Sequence, residues 1–237
     1  MNFREDFTMD YQKNLKYFKS NDKHFYIGIG LLVLGVILFV VSWFFYLWFI
    51  PYQAQIGFLL IAVGAGTAFI PRSLRSNSRD LDDAVARATE KYAEKTAEEV
   101  GLESSLIRNI KPVVVGDYTY DENVLVRRAK DDRRVRTSVY TATAMLFTKT
   151  GIYMSQKKID LIEDKVTESY AEFVYNDIDK VSTVTEEKVF GDGTKAKIAF
   201  IVITVGGKEA MRIPTAKGSA ADKLCDDINH MIKTAKK

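Results

Sequence analysis

The sequence predicts an α+β protein that begins in a membrane: an N-terminal transmembrane α-hairpin, a connecting helix, then an antiparallel β-sheet or open barrel capped by a C-terminal helix. Three observations predict this. No Lys, Arg, Asp or Glu occurs between Phe25 and Pro71, while the chain beyond Pro71 is densely charged. From about Pro112, apolar residues recur with period two between turn residues, the mark of strands. After Ser219 the apolar spacing returns to that of an amphipathic helix. The implied divisions are a cytoplasmic flank (1–24), the hairpin (25–71), the connecting helix (72–111) and a soluble domain (112–237).

In the flank, Lys13, Lys16, Lys19 and Lys23 alternate with Tyr11, Leu15, Tyr17 and Phe18. Tyr11, Leu15 and Phe18 share one helical face, which suits an interfacial amphipathic helix resting on lipid. The first apolar run, Phe25 to Ile50, exceeds the ~20 residues needed to cross a ~30 Å hydrocarbon core. It is too long and starts too late for a cleaved signal peptide. It ends in Trp43, Phe44, Phe45, Tyr46 and Trp48, residues that favour the membrane–water interface. The second run, Ala54 to Ile70, is near the ~17-residue lower limit for a span, and a buried soluble helix is its alternative. Only Pro51-Tyr52-Gln53 separates the runs, so the chain turns back on itself, and Pro71 marks the far end.

Cations flank the pair on one side, from Arg4 to Lys23 and at Arg72, Arg75 and Arg79, and the turn has none. The positive-inside rule then puts both termini in the cytoplasm, in a multi-pass plasma-membrane protein. No ionisable group lies within either run, which argues against a transport path through the hairpin alone. Gly28, Gly30 and Gly35 on one helix, with Gly57, Ala62, Gly64, Gly66 and Ala68 on the other, suit close packing within the hairpin. Two small-xxx-small pairs are available, Ala62 with Gly66 and Gly64 with Ala68.

Arg79 to Val100 lacks Gly and Pro and is rich in Ala, Glu and Lys, so one helix is expected. Ser78 would cap its start and Gly101 would stop it. Leu81, Val85, Ala88 and Tyr92 form a thin stripe, too weak for a coiled coil. The expectation is a helix lying on its own domain or on the bilayer.

About seven strands follow. Val113 to Tyr120 is one. Val124 to Arg128 and Arg134 to Tyr140 pair around Lys130-Asp131-Asp132. Ala142 to Thr148 and Ile152 to Gln156 flank Lys149-Thr150-Gly151, a hairpin turn. Glu168 to Tyr175 and Asp179 to Phe190 are two more. Ala196 to Val205 is apolar on both faces and reads as a central strand, and Gly206-Gly207 turns it into Glu209 to Ile213. Ala221, Leu224, Cys225, Ile228, Met231 and Ile232 then share one helical face.

The order resembles the pleckstrin-homology-like superfamily, in its bacterial PH and GRAM-like branch. The resemblance rests on Leu146-Phe147-Thr148-Lys149-Thr150-Gly151-Ile152-Tyr153 and Phe173-Val174-Tyr175-Asn176-Asp177-Ile178-Asp179-Lys180-Val181, and covers roughly Val124 to Lys236. It implies binding or scaffolding and names no ligand.

The charge balance, 34 basic against 31 acidic residues, is too even to suggest nucleic acid. Single Cys225 allows no internal disulfide, and His24 and His230 form no metal cluster, so no cofactor or metal is expected. The strongest cation cluster is Arg127, Arg128, Lys130, Arg133, Arg134 and Arg136, a candidate contact for anionic lipid or a partner, as are Lys13, Lys16 and Lys19. The alternative is a solvated hairpin whose cations pair locally with Asp131 and Asp132. Asp177 and Asp179 are the nearest approach to a catalytic carboxylate pair, and a turn role competes with it. The expectation is a non-enzymatic, membrane-anchored binding or scaffold protein whose partners are the bilayer and a protein, peptide or anionic lipid. A small oligomeric or pore-forming subunit is the alternative, with only Ser42 and Thr67 as polar groups well inside the runs.

Overall fold

The structure, a computed structural model, describes residues 9–19, 23–45, 53–73, 76–102, 106, 110–121, 123–129, 132–191, 193–216 and 218–236. The chain divides into two compact units. One is Gln12–Asn77, and the other joins Met1–Tyr11 to Ser78–Lys237.

The smaller unit contains α1 (Tyr11–Lys19), α2 (Lys23–Phe45) and α3 (Gln53–Ser73). Of the two apolar helices, only α2 is long and apolar enough to cross a membrane, over Lys23–Ser42 with a mean hydropathy of 2.7. The apolar stretch of α3, Ala54–Ile70, is shorter, so the expected pair of spans is met on length by one helix and a shorter companion. Pro71 does not end α3, which continues to Ser73. Having no N–H, the proline leaves the last turn one i→i−4 hydrogen bond short. The turn residues Pro51 and Tyr52, and the side chains from Trp43 to Trp48, lie outside the described residues.

The two helices run antiparallel and pack backbone to backbone. A Cβ placed on Gly28 would lie 2.6 Å from the Ala68 nitrogen, and one on Gly64 would lie 2.5 Å from the Leu32 nitrogen. Gly35 and Gly57 meet in the same way one heptad along. The seven-residue spacing in both helices (28 and 35, 57 and 64) keeps glycine at the seam, where only a missing side chain allows such approach. Of the two candidate motifs, Gly64 and Ala68 face the partner helix. Ala62 is exposed, and Gly66 has only Ile70 of its own helix near its absent Cβ.

In the larger unit the expected single connecting helix is two: α4 (Ser78–Thr89) and α5 (Tyr92–Val100). The break falls at Lys91, whose φ of 57° is left-handed. No glycine or proline signals it. The cause is tertiary, because α5 must lie flat on the sheet, where Tyr92, Ala93 and Ala97 pack against Ala142, Ala144 and Leu146. Gly101 stops α5 as expected. At φ 68° its N–H donates to the carbonyls of Ala97 and Glu98.

Nine strands follow: β1 (Val113–Tyr118), β2 (Val126–Arg128), β3 (Val135–Thr137), β4 (Val139–Phe147), β5 (Gly151–Asp160), β6 (Val166–Val174), β7 (Ile178–Val189), β8 (Lys195–Val205) and β9 (Lys208–Thr215). They form a four-stranded antiparallel sheet ordered β1-β4-β5-β6, a β2-β3 ribbon, and a three-stranded antiparallel sheet ordered β7-β8-β9. Among the described residues no closed barrel exists, so the sheet alternative holds. β8 is central, as its apolar faces predict. The Thr148–Gly151 turn is closed twice: the Thr148 N–H donates to the Gly151 carbonyl at 2.9 Å, and the Gly151 N–H donates to Thr148 Oγ1 at 3.1 Å. Gly206 and Gly207 take φ of 59° and 72° in the β8–β9 turn, conformations that favour glycine.

Helix α6 (Ser219–Ala235) closes the unit. Ile228 and Ile232 join Met145, Phe147, Ile152 and Ile201 in the main core. Burying an isoleucine side chain fully contributes about 1.5–3 kcal/mol, so this stripe holds α6 down. Cys225 lies in the same core, and burial pushes its thiol up to about 11. A thiol so poorly ionised is a core side chain and a poor nucleophile.

Candidate functional site

The cations singled out in the sequence fall into two environments. β2 and β3 pair with Arg127 opposite Arg136. Arg136 points inward and its side chain is 2% exposed. Its Nε and Nη2 donate to the Asp82 carboxylate of α4 at 3.0 and 2.6 Å. Its Nη1 and Nη2 donate to Asp132 at 3.1 and 2.6 Å. The Tyr118 hydroxyl adds a 2.7 Å bond to Asp82. Burial pushes the Asp82 carboxyl up, but the hydrogen bonds from Arg136 and Tyr118 outweigh it and hold it below the usual carboxylate range. Arg136 is thus an internal clamp between α4 and the ribbon, with its fork consumed by two carboxylates. It offers no free surface charge.

Three of the other cations, Arg128, Arg133 and Arg134, line a pocket. Its volume is about 490 Å³, and Arg128, Arg133, Arg134, Lys195 and Lys197 supply its charge, against the single carboxylate of Asp117. Each is placed for a local reason. Arg128 ends β2 and donates from Nη2 to the Lys195 carbonyl at 2.6 Å, tying the ribbon to the start of β8. Arg133 sits at φ 56° in the turn before β3. Arg134 donates to Asp117 Oδ1 at 2.6 Å, and its guanidinium lies 5.6 Å from the centre of the Tyr118 ring. Asp117 neutralises one charge, so the excess over the pocket is four cations. Arg128, Arg133, Lys195 and Lys197 are exposed at its rim.

Lys195 and Lys197 stand far along the chain from the Arg127–Arg136 cluster, so no local run of cations marks them as its neighbours. The available signal is Lys-Ala-Lys at the head of a strand, which alternation sends to one face. Arg127 is half-buried opposite Arg136 and does not line the pocket. Lys130 lies outside the described residues. Lys13, Lys16 and Lys19 belong to the other unit, where Lys16 and Lys19 are exposed and Lys13 is partly covered.

A second cleft, of about 560 Å³, shows what a spent pocket looks like. Its cations Lys158, Lys188 and Arg212 are matched by Asp121, Glu186 and Glu187. Lys158 sits 2.8 Å from Asp121 and Arg212 2.7 Å from Glu186. It carries no excess charge to draw an ion.

Asp179 accepts the Gly207 N–H at 2.7 Å and so braces the β8–β9 turn, while Asp177 lies in the β6–β7 turn. Among the described residues, no three His, Cys, Asp or Glu side chains gather as a metal site. In the helical unit, the Ser42 hydroxyl donates to the Leu38 carbonyl at 2.8 Å and the Thr67 hydroxyl to the Val63 carbonyl at 2.9 Å. Both bonds run to carbonyls of their own helices, one turn back. Comparison with known protein families, with curated proteins and with solved structures returns no match.

Proposed function

We propose that this chain is a membrane-anchored binding protein. In this reading α2 and α3 form a transmembrane hairpin in the plasma membrane with both termini in the cytoplasm, and a PH-like domain offers the cationic pocket to an anionic group such as a lipid head group. One observation carries the anchor: the outer surface of the hairpin is apolar and uncovered. Only 11% of the α2 window is buried. Tyr26, Ile37, Phe58 and Leu59 are 65%, 53%, 67% and 61% exposed. The core helix of a soluble protein hides such residues, and an exposed patch of this kind marks a surface meant for lipid or a partner. The PH-like reading draws support from the four-stranded and three-stranded sheets followed by a closing helix, together with the Thr148–Gly151 hairpin. The binding reading draws support from the four-cation excess. Each such cation near an anionic surface contributes about 1 kcal/mol. Anchoring would raise the effective concentration of the domain at its membrane ligand.

The test takes the full chain. Alkaline extraction of membranes should leave it in the pellet, and recovery in the aqueous fraction without detergent would end the anchor reading. In nanodiscs, amide exchange around Arg133–Arg134 and Lys195–Lys197 should slow when anionic lipid replaces zwitterionic lipid. Replacing Lys195 and Lys197 by Glu should abolish that response, and an unchanged response would end the pocket reading.

A further inference from the structure

One outer strand of the four-stranded sheet is acidic on an exposed face. β6 is an outer strand of its sheet, and among the described residues no strand pairs with its free edge. An uncovered edge presents a row of unpaired N–H and C=O groups. One face of β6 reads Val166, Glu168, Tyr170, Glu172 and Val174 by strand alternation. All five are exposed, with Val166 at 49%, Tyr170 at 54% and Val174 at 44%. Helix α5 covers β4 and the near side of β5 and leaves β6 bare.

Beside this edge lies an acidic aromatic ledge. The Tyr153 and Tyr170 rings lie 6.2 Å apart and tilted by 32°. The Tyr170 hydroxyl donates to Glu168 at 2.9 Å. Glu99, at the end of α5, is near enough to act on both Tyr92 and Tyr170. Lys157 brings one positive charge, already engaged 3.6 Å from Glu168 and 5.5 Å over the Tyr92 ring. Glu99, Glu168 and Glu172 therefore leave the ledge with an acidic excess.

We propose that the free edge of β6 captures an extended basic peptide by strand addition, with a cation–x–apolar–x–cation pattern lying opposite Glu168, Tyr170 and Glu172. Charge complementarity selects this occupant. A second copy of the chain, added antiparallel about Tyr170, would set each Glu168 against a Glu172, and like charges directly opposite are destabilising. A partner strand with Lys or Arg at those two places turns the repulsion into two ion pairs. An adjacent cation can also lie over the Tyr153 and Tyr170 faces. Main-chain bonds then supply affinity and the alternate side chains supply register. The inference uses a different face from the cationic pocket and does not depend on the membrane anchor.

The experiment uses the full chain in non-ionic micelles and a fluorescent peptide, Thr-Arg-Thr-Val-Thr-Arg-Thr. Two controls have the same composition: one carries its arginines on opposite strand faces, and one has alternate amide nitrogens methylated. The first peptide should bind and slow amide exchange along 166–174, and both controls should bind at least several-fold more weakly. Glu168→Gln with Glu172→Gln should weaken it about tenfold, because two exposed ion pairs are lost. Tyr170→Ala should weaken it several-fold, and Val189→Ala, elsewhere on the surface, should not. Equal binding of the controls, or binding without protection of β6, would overturn the proposal. So would a peptide-free dimer with β6 protected, which would make the occupant a second copy.

Discussion

Replacing Arg136 by methionine tests the strongest inference about how the larger unit is held together. Methionine keeps an apolar stem of similar reach and removes the guanidinium, so packing is largely conserved while four charge-assisted hydrogen bonds disappear. Removing one partner from a fully buried ion pair costs about 3–5 kcal/mol. Here the carboxylates of Asp82 and Asp132 are 38% and 43% exposed, so both regain water when the arginine goes. That lowers the expected cost to about 2–3 kcal/mol. At about 2–4 °C per kcal/mol for a unit of this size, Tm should fall by roughly 5–10 °C. Asp82→Asn should cost less, about 1 kcal/mol, because Arg136 keeps Asp132 and the amide oxygen still accepts from Tyr118. The assay is thermal unfolding of the detergent-solubilised full chain, with the two single variants and the double variant measured as a cycle. The double variant should be little worse than Arg136→Met alone, since the partners share one clamp. A Tm for Arg136→Met within about 1 °C of the parent, or strict additivity in the cycle, would refute the clamp.

The hairpin seam and the acid response supply two further tests. Gly64→Ala and Gly28→Ala should force α2 and α3 apart, since each new methyl would meet backbone at 2.5–2.6 Å. Gly30→Ala and Gly66→Ala, facing open space or only Ile70 of the same helix, should be tolerated. Amide exchange across residues 23–73 in micelles would report a rise of tenfold or more for the first pair and none for the second. The Asp82 and Asp132 carboxyls both lie below the ordinary value of 3.8 in the folded chain, Asp132 chiefly through its bond from Arg136. Groups depressed in this way contribute stability that is fully present above the unfolded pKa of about 3.9 and is lost as pH falls through the lower folded values. Tm should therefore drop more steeply below about pH 4 in the parent than in Arg136→Met, and parallel curves would contradict that origin.

Much of the fold was legible because its signals are local. The charge-free run that becomes α2 needs only a count of residues. The Lys149-Thr150-Gly151 and Gly206-Gly207 turns announce their hairpins by the chemistry of a few neighbours. The α6 stripe follows from a period of 3.6, and β8 reads as central because both its faces are apolar. Other features had no local signal. Lys91 breaks the connecting helix although nothing around it disfavours a helix, because the docking of α5 on Ala142 and Ala144 outweighs propensity. Ala62–Gly66 and Gly64–Ala68 are equivalent as patterns, and only the pairing with Gly28 and Leu32 separates them.

The charged cluster shows the division most clearly. Arg134 and Arg136 stand two apart, so alternation alone treats them alike, yet their side chains are 41% and 2% exposed. Asp82, more than fifty residues upstream, accepts two hydrogen bonds from Arg136, while Arg134 donates to Asp117 instead. Lys195 and Lys197 join Arg128, Arg133 and Arg134 only because β8 starts where the β2–β3 ribbon ends. The sequence by itself determined the long apolar helical segment, the strand periodicity and the supply of cations, since each is a property of neighbouring residues. Tertiary structure alone decided which cations are clamped inside and which gather around a pocket, because that depends on side chains brought together from distant parts of the chain.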